Sequence, residues 1–105
     1  MNRTDYLSIL DKNENTLVVF ITATWCAPCL SIKKYVEKKL ENIPYLLIDV
    51  DTDSDVYASL RSKKQLKGVP TLLAYTKGNI IPSASISGTN QRDINTFFDK
   101  IDFLI

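Results

Sequence analysis

The chain alternates between segments whose apolar residues recur every three or four positions and short uninterrupted apolar runs, the signatures of helices and of buried strands. Thr4 can cap a first helix in which Leu7 and Leu10 lie one turn apart, flanked by Tyr6 and Ile9, before Asn13-Glu14-Asn15 breaks the pattern. Leu17-Val18-Val19-Phe20-Ile21 is a continuous run rich in β-branched residues, which predicts a central strand covered on both faces. From Cys29 the pattern turns helical: Ile32, Tyr35, Val36 and Leu40 follow three-and-four spacing, while Lys33, Lys34, Glu37, Lys38 and Glu41 occupy other faces. Tyr45 to Val50 reads as a second strand.

Asp51, Asp53 and Asp55 crowd the start of the next segment and Arg61, Lys63, Lys64 and Lys67 its end, the distribution a helix macrodipole favours. Val56 and Leu60 supply its buried face, and Gly68 is the expected terminator. Thr71 to Tyr75 and Asn79 to Ile86 predict an antiparallel hairpin turning through Lys77-Gly78-Asn79. Pro82 cannot donate to a ladder, so the second of these strands belongs at an edge or a bulge. Asn90, with Asp93 three residues later, opens a last helix with an apolar stripe of Ile94, Phe97, Phe98, Ile101 and Leu104. Phe103 reads as a core residue together with Phe97 and Phe98, and Phe98 and Phe20 are expected neighbours under the sheet. The order helix, strand, helix, strand, helix, strand, strand, helix predicts an α/β layered fold with parallel crossovers first and a terminal hairpin.

At 105 residues, with 45% hydrophobic and 24% charged residues, the chain has the material of one globular domain, residues 1–105. Thirteen Lys plus Arg against twelve Asp plus Glu leave a charge of +1, far from the basic balance that binding a phosphate backbone demands. With two cysteines and no histidine, a one-chain Cys/His zinc site, a His-based triad and a histidine general base are all excluded. Met1 to Lys12 mixes Asn2, Arg3, Asp5, Ser8 and Asp11 among its apolar residues, unlike a secretory signal. The longest apolar run is far too short for a membrane helix, so a soluble, cytoplasmic location is expected. The near-neutral balance of so small a domain makes a monomer the expected state. Lys33, Lys34, Lys38 and Lys39 read as a solvated helix face.

Both cysteines fall in Trp25-Cys26-Ala27-Pro28-Cys29, at the junction of the apolar strand and the following helix. Residues three apart at a helix start have Cβ atoms about 5 to 6 Å apart, close enough to approach disulfide geometry. Free amides and the positive end of the helix dipole stabilise a thiolate at Cys26, lowering its pKa from about 8.5. Pro28 suits a first turn, which has no internal use for its N–H, and its ring stiffens the loop between the sulfurs. The pair could instead be half of a zinc or iron–sulfur site, but no other Cys or His exists to complete one, so a metal would have to bridge two chains.

The W-C-x-P-C sequence at Trp25–Cys29, together with Gly68-Val69-Pro70-Thr71, resembles the thioredoxin family, and the likeness covers nearly the whole chain. The resemblance implies the thioredoxin fold, with a central mixed sheet flanked by about four helices, and a cis peptide bond before Pro70 that faces the cysteine pair. Only 25 residues precede Cys26, too few for the family's extra N-terminal strand as well as a first helix, so a four-stranded sheet is expected. The resemblance implies Cys26 as the nucleophile on a substrate disulfide and Cys29 as the resolving thiol. Trp25, Ala27, Pro28 and Pro70 would form a groove for an extended substrate segment, pairing with the backbone of Val69, with Gly88 on its far side. No bound cofactor is implied beyond the redox-active Cys26–Cys29 disulfide; the implied partners are disulfide-containing proteins and a flavoprotein reductase using NADPH.

Two positions depart from the family. Where typical thioredoxins carry a buried Asp six residues before the first Cys, this chain has Phe20, and the Lys that accompanies that Asp would fall near Leu47. Losing both members together is self-consistent, because a buried ion pair can be replaced by packed hydrocarbon at little cost. Lys34 stands near the place of a kinking proline, so the helix after the motif should run straighter. The main alternatives are a binding module retaining the cysteines as a clasp, and an oxidase or isomerase of the same fold. The missing His between the cysteines disfavours the latter.

Overall fold

Five consecutive residues of the central apolar run are buried because each face of their strand meets a different layer of helices. In the computed structural model, which describes residues 1–104 and side chains through Phe103, the elements are α1 (Arg3–Lys12), β1 (Leu17–Thr22), α2 (Ala27–Lys39), β2 (Tyr45–Asp49), α3 (Ser54–Ser62), β3 (Thr71–Tyr75), β4 (Ala84–Ser87) and α4 (Gln91–Leu104). The four strands lie in the order β2-β1-β3-β4. β1 pairs parallel with β2 and antiparallel with β3, and β3 pairs antiparallel with β4, so the sheet is mixed as expected.

Side-chain alternation along β1 divides the core. Leu17, Val19 and Ile21 face a cluster with Tyr6, Leu10, Val56, Leu60 and Tyr75, which binds α1 and α3 to one face of the sheet. Val18 and Phe20 face the other cluster, with Ile32 and Val36 of α2 and Ile94, Phe97, Phe98 and Ile101 of α4. Phe20 and Phe98 thus share one cluster, as anticipated. The Tyr35 hydroxyl donates to the Asn95 side chain, joining α2 to α4.

Several boundaries move, each for a local reason. The cap of α1 is Asn2, not Thr4: the Asn2 side chain accepts the Asp5 N–H at 2.8 Å. The face α1 buries is led by Tyr6 and Leu10, with Leu7 and Ile9 half-buried beside them. α2 begins at Ala27 rather than Cys29 and continues unbroken to Lys39. α3 stops at Ser62 and not near Gly68. Lys64 takes the left-handed conformation at φ 58°, and the N–H groups of Lys64 and Gln65 donate to the carbonyls of Arg61 and Leu60. These two bonds make a Schellman closure.

The hairpin is looser than its sequence suggests. Asn79 N–H closes a turn on the Thr76 carbonyl at 3.1 Å, with Gly78 at φ 65°, but strand pairing resumes only when Ser83 N–H reaches the Ala74 carbonyl at 2.7 Å. Pro82, lacking an N–H, stands before β4 instead of within it, and β4 is an edge strand. In α4, the Asn90 side chain accepts the Asp93 N–H at 3.1 Å, the expected cap. Phe103 is 95% exposed rather than in the core. It lies two residues past Ile101, about 200° around the helix from that buried position. The Leu104 side chain lies outside the described residues.

Candidate active site

The end of β1 and the start of α2 deliver the two cysteines to one place. Cys26 is the N-cap of α2, with Ala27 and Pro28 in the first turn, and its amide is held by the Ala23 carbonyl at 3.2 Å. The pair is joined as a disulfide with Cα atoms 5.2 Å apart. The Cys29 N–H points back to the Cys26 sulfur at 3.2 Å, one of the free amides that a helix start provides. Cys29 is fully enclosed, whereas Cys26 retains a sliver of accessible surface between the exposed Trp25, Ala27 and Pro28. Ala23, Val50 and Val69 pack around the two cysteines.

The Val69–Pro70 peptide bond is cis, and Pro70 is buried at the foot of β3, where Thr71 pairs with Ile21 of β1. The loop is fastened twice. The Thr71 hydroxyl donates to the Gly68 carbonyl at 2.6 Å and lies 2.8 Å from the Ser87 hydroxyl, while Gly88 N–H donates to the Pro70 carbonyl at 3.0 Å. Gly88 therefore adjoins the proline loop at the end of β4, exposed and at φ 98°.

Trp25 is 65% exposed, and its indole Nε1–H donates to Asp51 Oδ2 at 2.8 Å. Asp51 is the participant that the sequence pattern did not single out. It sits 26 positions away on the β2–α3 turn, among acidic residues whose evident purpose is to favour a helix start.

Phe20 and Leu47 are register partners on β1 and β2, but only Phe20 is packed: it is 1% exposed and Leu47 51%. β2 is an outer strand of the sheet and Leu47 is half-exposed on it, so the expected replacement by packed hydrocarbon holds at Phe20 but not at Leu47. Leu47 instead lines a small apolar depression with Leu30, Thr22, Ala23, Thr24, Lys33 and Asp49. A wider depression, lined by Lys34, Glu37, Lys38, Glu41, Ile43 and Tyr45, lies toward the other end of α2 from the cysteines. Among the described residues no three His, Cys, Asp or Glu side chains gather as a metal-holding group, and no helix is long and apolar enough to cross a membrane.

A thioredoxin family model matches residues 1–100. The chain belongs to the thioredoxin family. It is similar to human thioredoxin, with 30% identity over 104 residues covering 95% of this chain and 93% of the relative. It is also similar to thioredoxin 3 of Plasmodium falciparum, with 31% identity over 88 residues covering 82% of the chain; the match spans about half, 48%, of that relative's length. Among solved structures, a Plasmodium falciparum thioredoxin superposes with a TM-score of 0.68 at 28% identity, covering 96% of this chain and 84% of that one. A strand-to-helix cysteine pair that closes as a disulfide in this family is a thiol–disulfide oxidoreductase centre, and that is the activity of this thioredoxin-family chain.

Proposed function

We propose that the chain is a single thioredoxin-like domain, residues 1–105, that reduces disulfides in other proteins through Cys26 and Cys29. The observation that carries this reading is the asymmetry of the pair: Cys26, at a helix N-terminus beside exposed Trp25, Ala27 and Pro28, keeps a sliver of accessible surface, whereas Cys29 has none. In the reduced protein the Cys26 thiolate is favoured by the helix dipole and by the Cys29 N–H directed at its sulfur. It attacks one sulfur of the substrate disulfide, the substrate S–S bond breaks, and the departing sulfur takes a proton. Cys29 then gives up its proton and attacks the Cys26 sulfur, releasing the second substrate thiol. Two electrons pass to the substrate, and the Cys26–Cys29 disulfide remains.

Trp25, Ala27, Pro28 and Pro70 would floor the substrate groove, with the Val69 backbone pairing to the bound segment and Gly88 at its margin. The exposure of Trp25, Ala27 and Pro28 beside Cys26 and the Gly88–Pro70 hydrogen bond support this reading. Phe20 and Leu47, replacing a charged pair, would leave Cys29 to lose its proton to water or to Cys26. The protein would act as a cytoplasmic monomeric electron carrier in redox homeostasis, without a bound cofactor and apart from nucleic acid and membranes. A flavoprotein reductase using NADPH would regenerate the dithiol.

Cys29→Ser tests the mechanism, because it should trap protein substrates on Cys26 as adducts released by dithiothreitol; recovery of none would overturn it. Equilibrating the protein in dithiol buffers while following Trp25 fluorescence tests direction. A potential near about −270 mV, the value of thioredoxin itself, fits a reductase, whereas one near about −180 mV indicates oxidation or isomerisation. The absence of any reversible couple would point to a binding module.

A further inference from the structure

Burial does not hold the Trp25 ring, which is two-thirds exposed, and its indole N–H has one protein partner, the Asp51 carboxylate. Asp51 is itself exposed, on a turn between β2 and α3, and its carboxylate forms no ion pair among the described residues. Its direction is therefore set by the backbone that carries it. Two anchors fix that backbone. Val50 N–H donates to the Thr22 carbonyl at 3.0 Å, tying the turn to the end of β1. The N–H groups of Asp51 and Thr52 both donate to one oxygen of Asp49, Oδ1, at 2.9 and 3.0 Å.

This is an Asx-type turn, in which a short side-chain acceptor gathers the following amides. Asp49 is rigid enough to impose it. Its N–H donates to Asp53 Oδ2 at 3.0 Å, and its carbonyl accepts the Asp53 N–H at 2.8 Å, so Asp49, the last residue of β2, is held twice by Asp53, the N-cap position of α3. A continuous chain of hydrogen bonds thus runs from Asp53 through Asp49 and Asp51 to the ring beside Cys26.

We propose that Asp49 is a positioning residue for Trp25, acting through Asp51. Its carboxylate oxygen shapes the turn that presents Asp51 to the indole, and the indole then stands where a substrate segment meets Cys26. The consequence for turnover rests on the reading that Trp25 belongs to the substrate groove; the consequence for the ring itself does not. The requirement is for an acceptor at the right reach and not for a charge. An asparagine carbonyl satisfies it and an alanine does not.

The single tryptophan makes the test direct. Asp49→Ala, Asp51→Ala, the double variant and Asp49→Asn are compared by acrylamide quenching and anisotropy of Trp25, and by KM and kcat for insulin disulfide reduction. Asp49→Ala and Asp51→Ala should each loosen the ring and raise KM about three- to tenfold, the range expected for one lost hydrogen bond of ordinary net strength, with kcat little changed. The double variant should match Asp51→Ala, since both act through one bond, and Asp49→Asn should restore the wild-type values. Should Asp49→Ala not fold, Asp49→Glu serves instead, since its added methylene misplaces the acceptor while keeping the charge. Wild-type quenching in Asp49→Ala or Asp49→Glu beside altered quenching in Asp51→Ala would overturn the proposal. So would multiplying effects in the double variant, or an Asp49→Asn as impaired as Asp49→Ala. A loosened ring with unchanged KM would uphold Asp49 and instead remove Trp25 from the substrate groove.

Discussion

Gly88 N–H donates to the Pro70 carbonyl at 3.0 Å, which ties the end of β4 to the proline loop beside the cysteine cluster. Gly88 holds φ 98° with nothing within 4 Å of the place a Cβ would occupy. Gly88→Ala therefore meets backbone strain without a steric clash, and should cost about 1–2 kcal/mol in urea denaturation. Relief of the strain by local movement would displace Pro70, raising KM for protein disulfides more than it lowers kcat. Unchanged stability would show that the backbone here is free to relax.

Phe20 and Leu47 are paired in register but differ in environment, so substitutions that reintroduce charge should differ in cost. Phe20→Asp strands a carboxylate in an apolar cluster and should destabilise by more than about 3 kcal/mol. Leu47→Lys, at a half-exposed position on an outer strand, should stay within about 0.5 kcal/mol. Thermal or urea melts of the two single variants decide the point; a large loss for Leu47→Lys would mean that its depression contributes to the core.

The same pair bears on proton transfer. With Phe20 in place of a buried carboxylate, the pH profile of disulfide reduction should follow thiol ionisation alone. It should lack a limb in the carboxylate range that Phe20→Asp, if it folds, could restore. A carboxylate limb in the wild-type profile would show that another acid has taken the role.

Legibility in the sequence followed the length scale of each signal. β1 was plain because five consecutive apolar residues can be covered only from both sides. The cysteine pair was plain because spacing, the adjoining strand and Pro28 all agree. Element ends were harder. At Lys64 the chain adopts a left-handed cap without glycine, so the nearest glycine, Gly68, drew the boundary too far along. Pro82 is incompatible with a central strand, as its missing N–H dictates, and it also delays the ladder until Ser83. Phe103 is apolar enough for a core, but its angle on α4 points it to solvent. Asp51 was hidden because its bond to Trp25 spans 26 residues, and no local pattern encodes that contact.

The Lys64 cap offers a direct gain in stability. A lysine at φ 58° carries the steric cost of the left-handed region, which glycine does not, while the closure needs only its N–H. Lys64→Gly should raise stability by about 0.5–1 kcal/mol, after allowing for the greater freedom of glycine in the unfolded chain. Denaturant midpoints measured at equal m-values would show it. A loss would mean that the Lys64 side chain contributes more than its backbone costs.

Tyr6 and Tyr75 should make this protein sensitive to alkali. Their rings meet edge-on in the core shared by α1 and β3, and Tyr6 OH donates to Tyr75 OH at 2.8 Å. Burial pushes the Tyr75 phenol up to about 12. It pushes Tyr6 higher still, because its neighbour's charge and the hydrogen bond it donates both oppose ionisation. Unfolded tyrosines ionise near about pH 10. Between those values the unfolded chain loses protons that the folded protein keeps, so the contribution is fully present below pH ~10 and disappears as pH climbs through ~12. Two of the five tyrosines should accordingly remain silent in a 295 nm titration until the fold opens. Tyr6→Phe leaves the Tyr75 hydroxyl without its partner and should cost about 1–3 kcal/mol at pH 7. Because the variant has one fewer buried phenol to ionise, its deficit against wild type should narrow above pH ~10. All five phenols titrating together near pH ~10 with a native circular dichroism spectrum would contradict the buried pair.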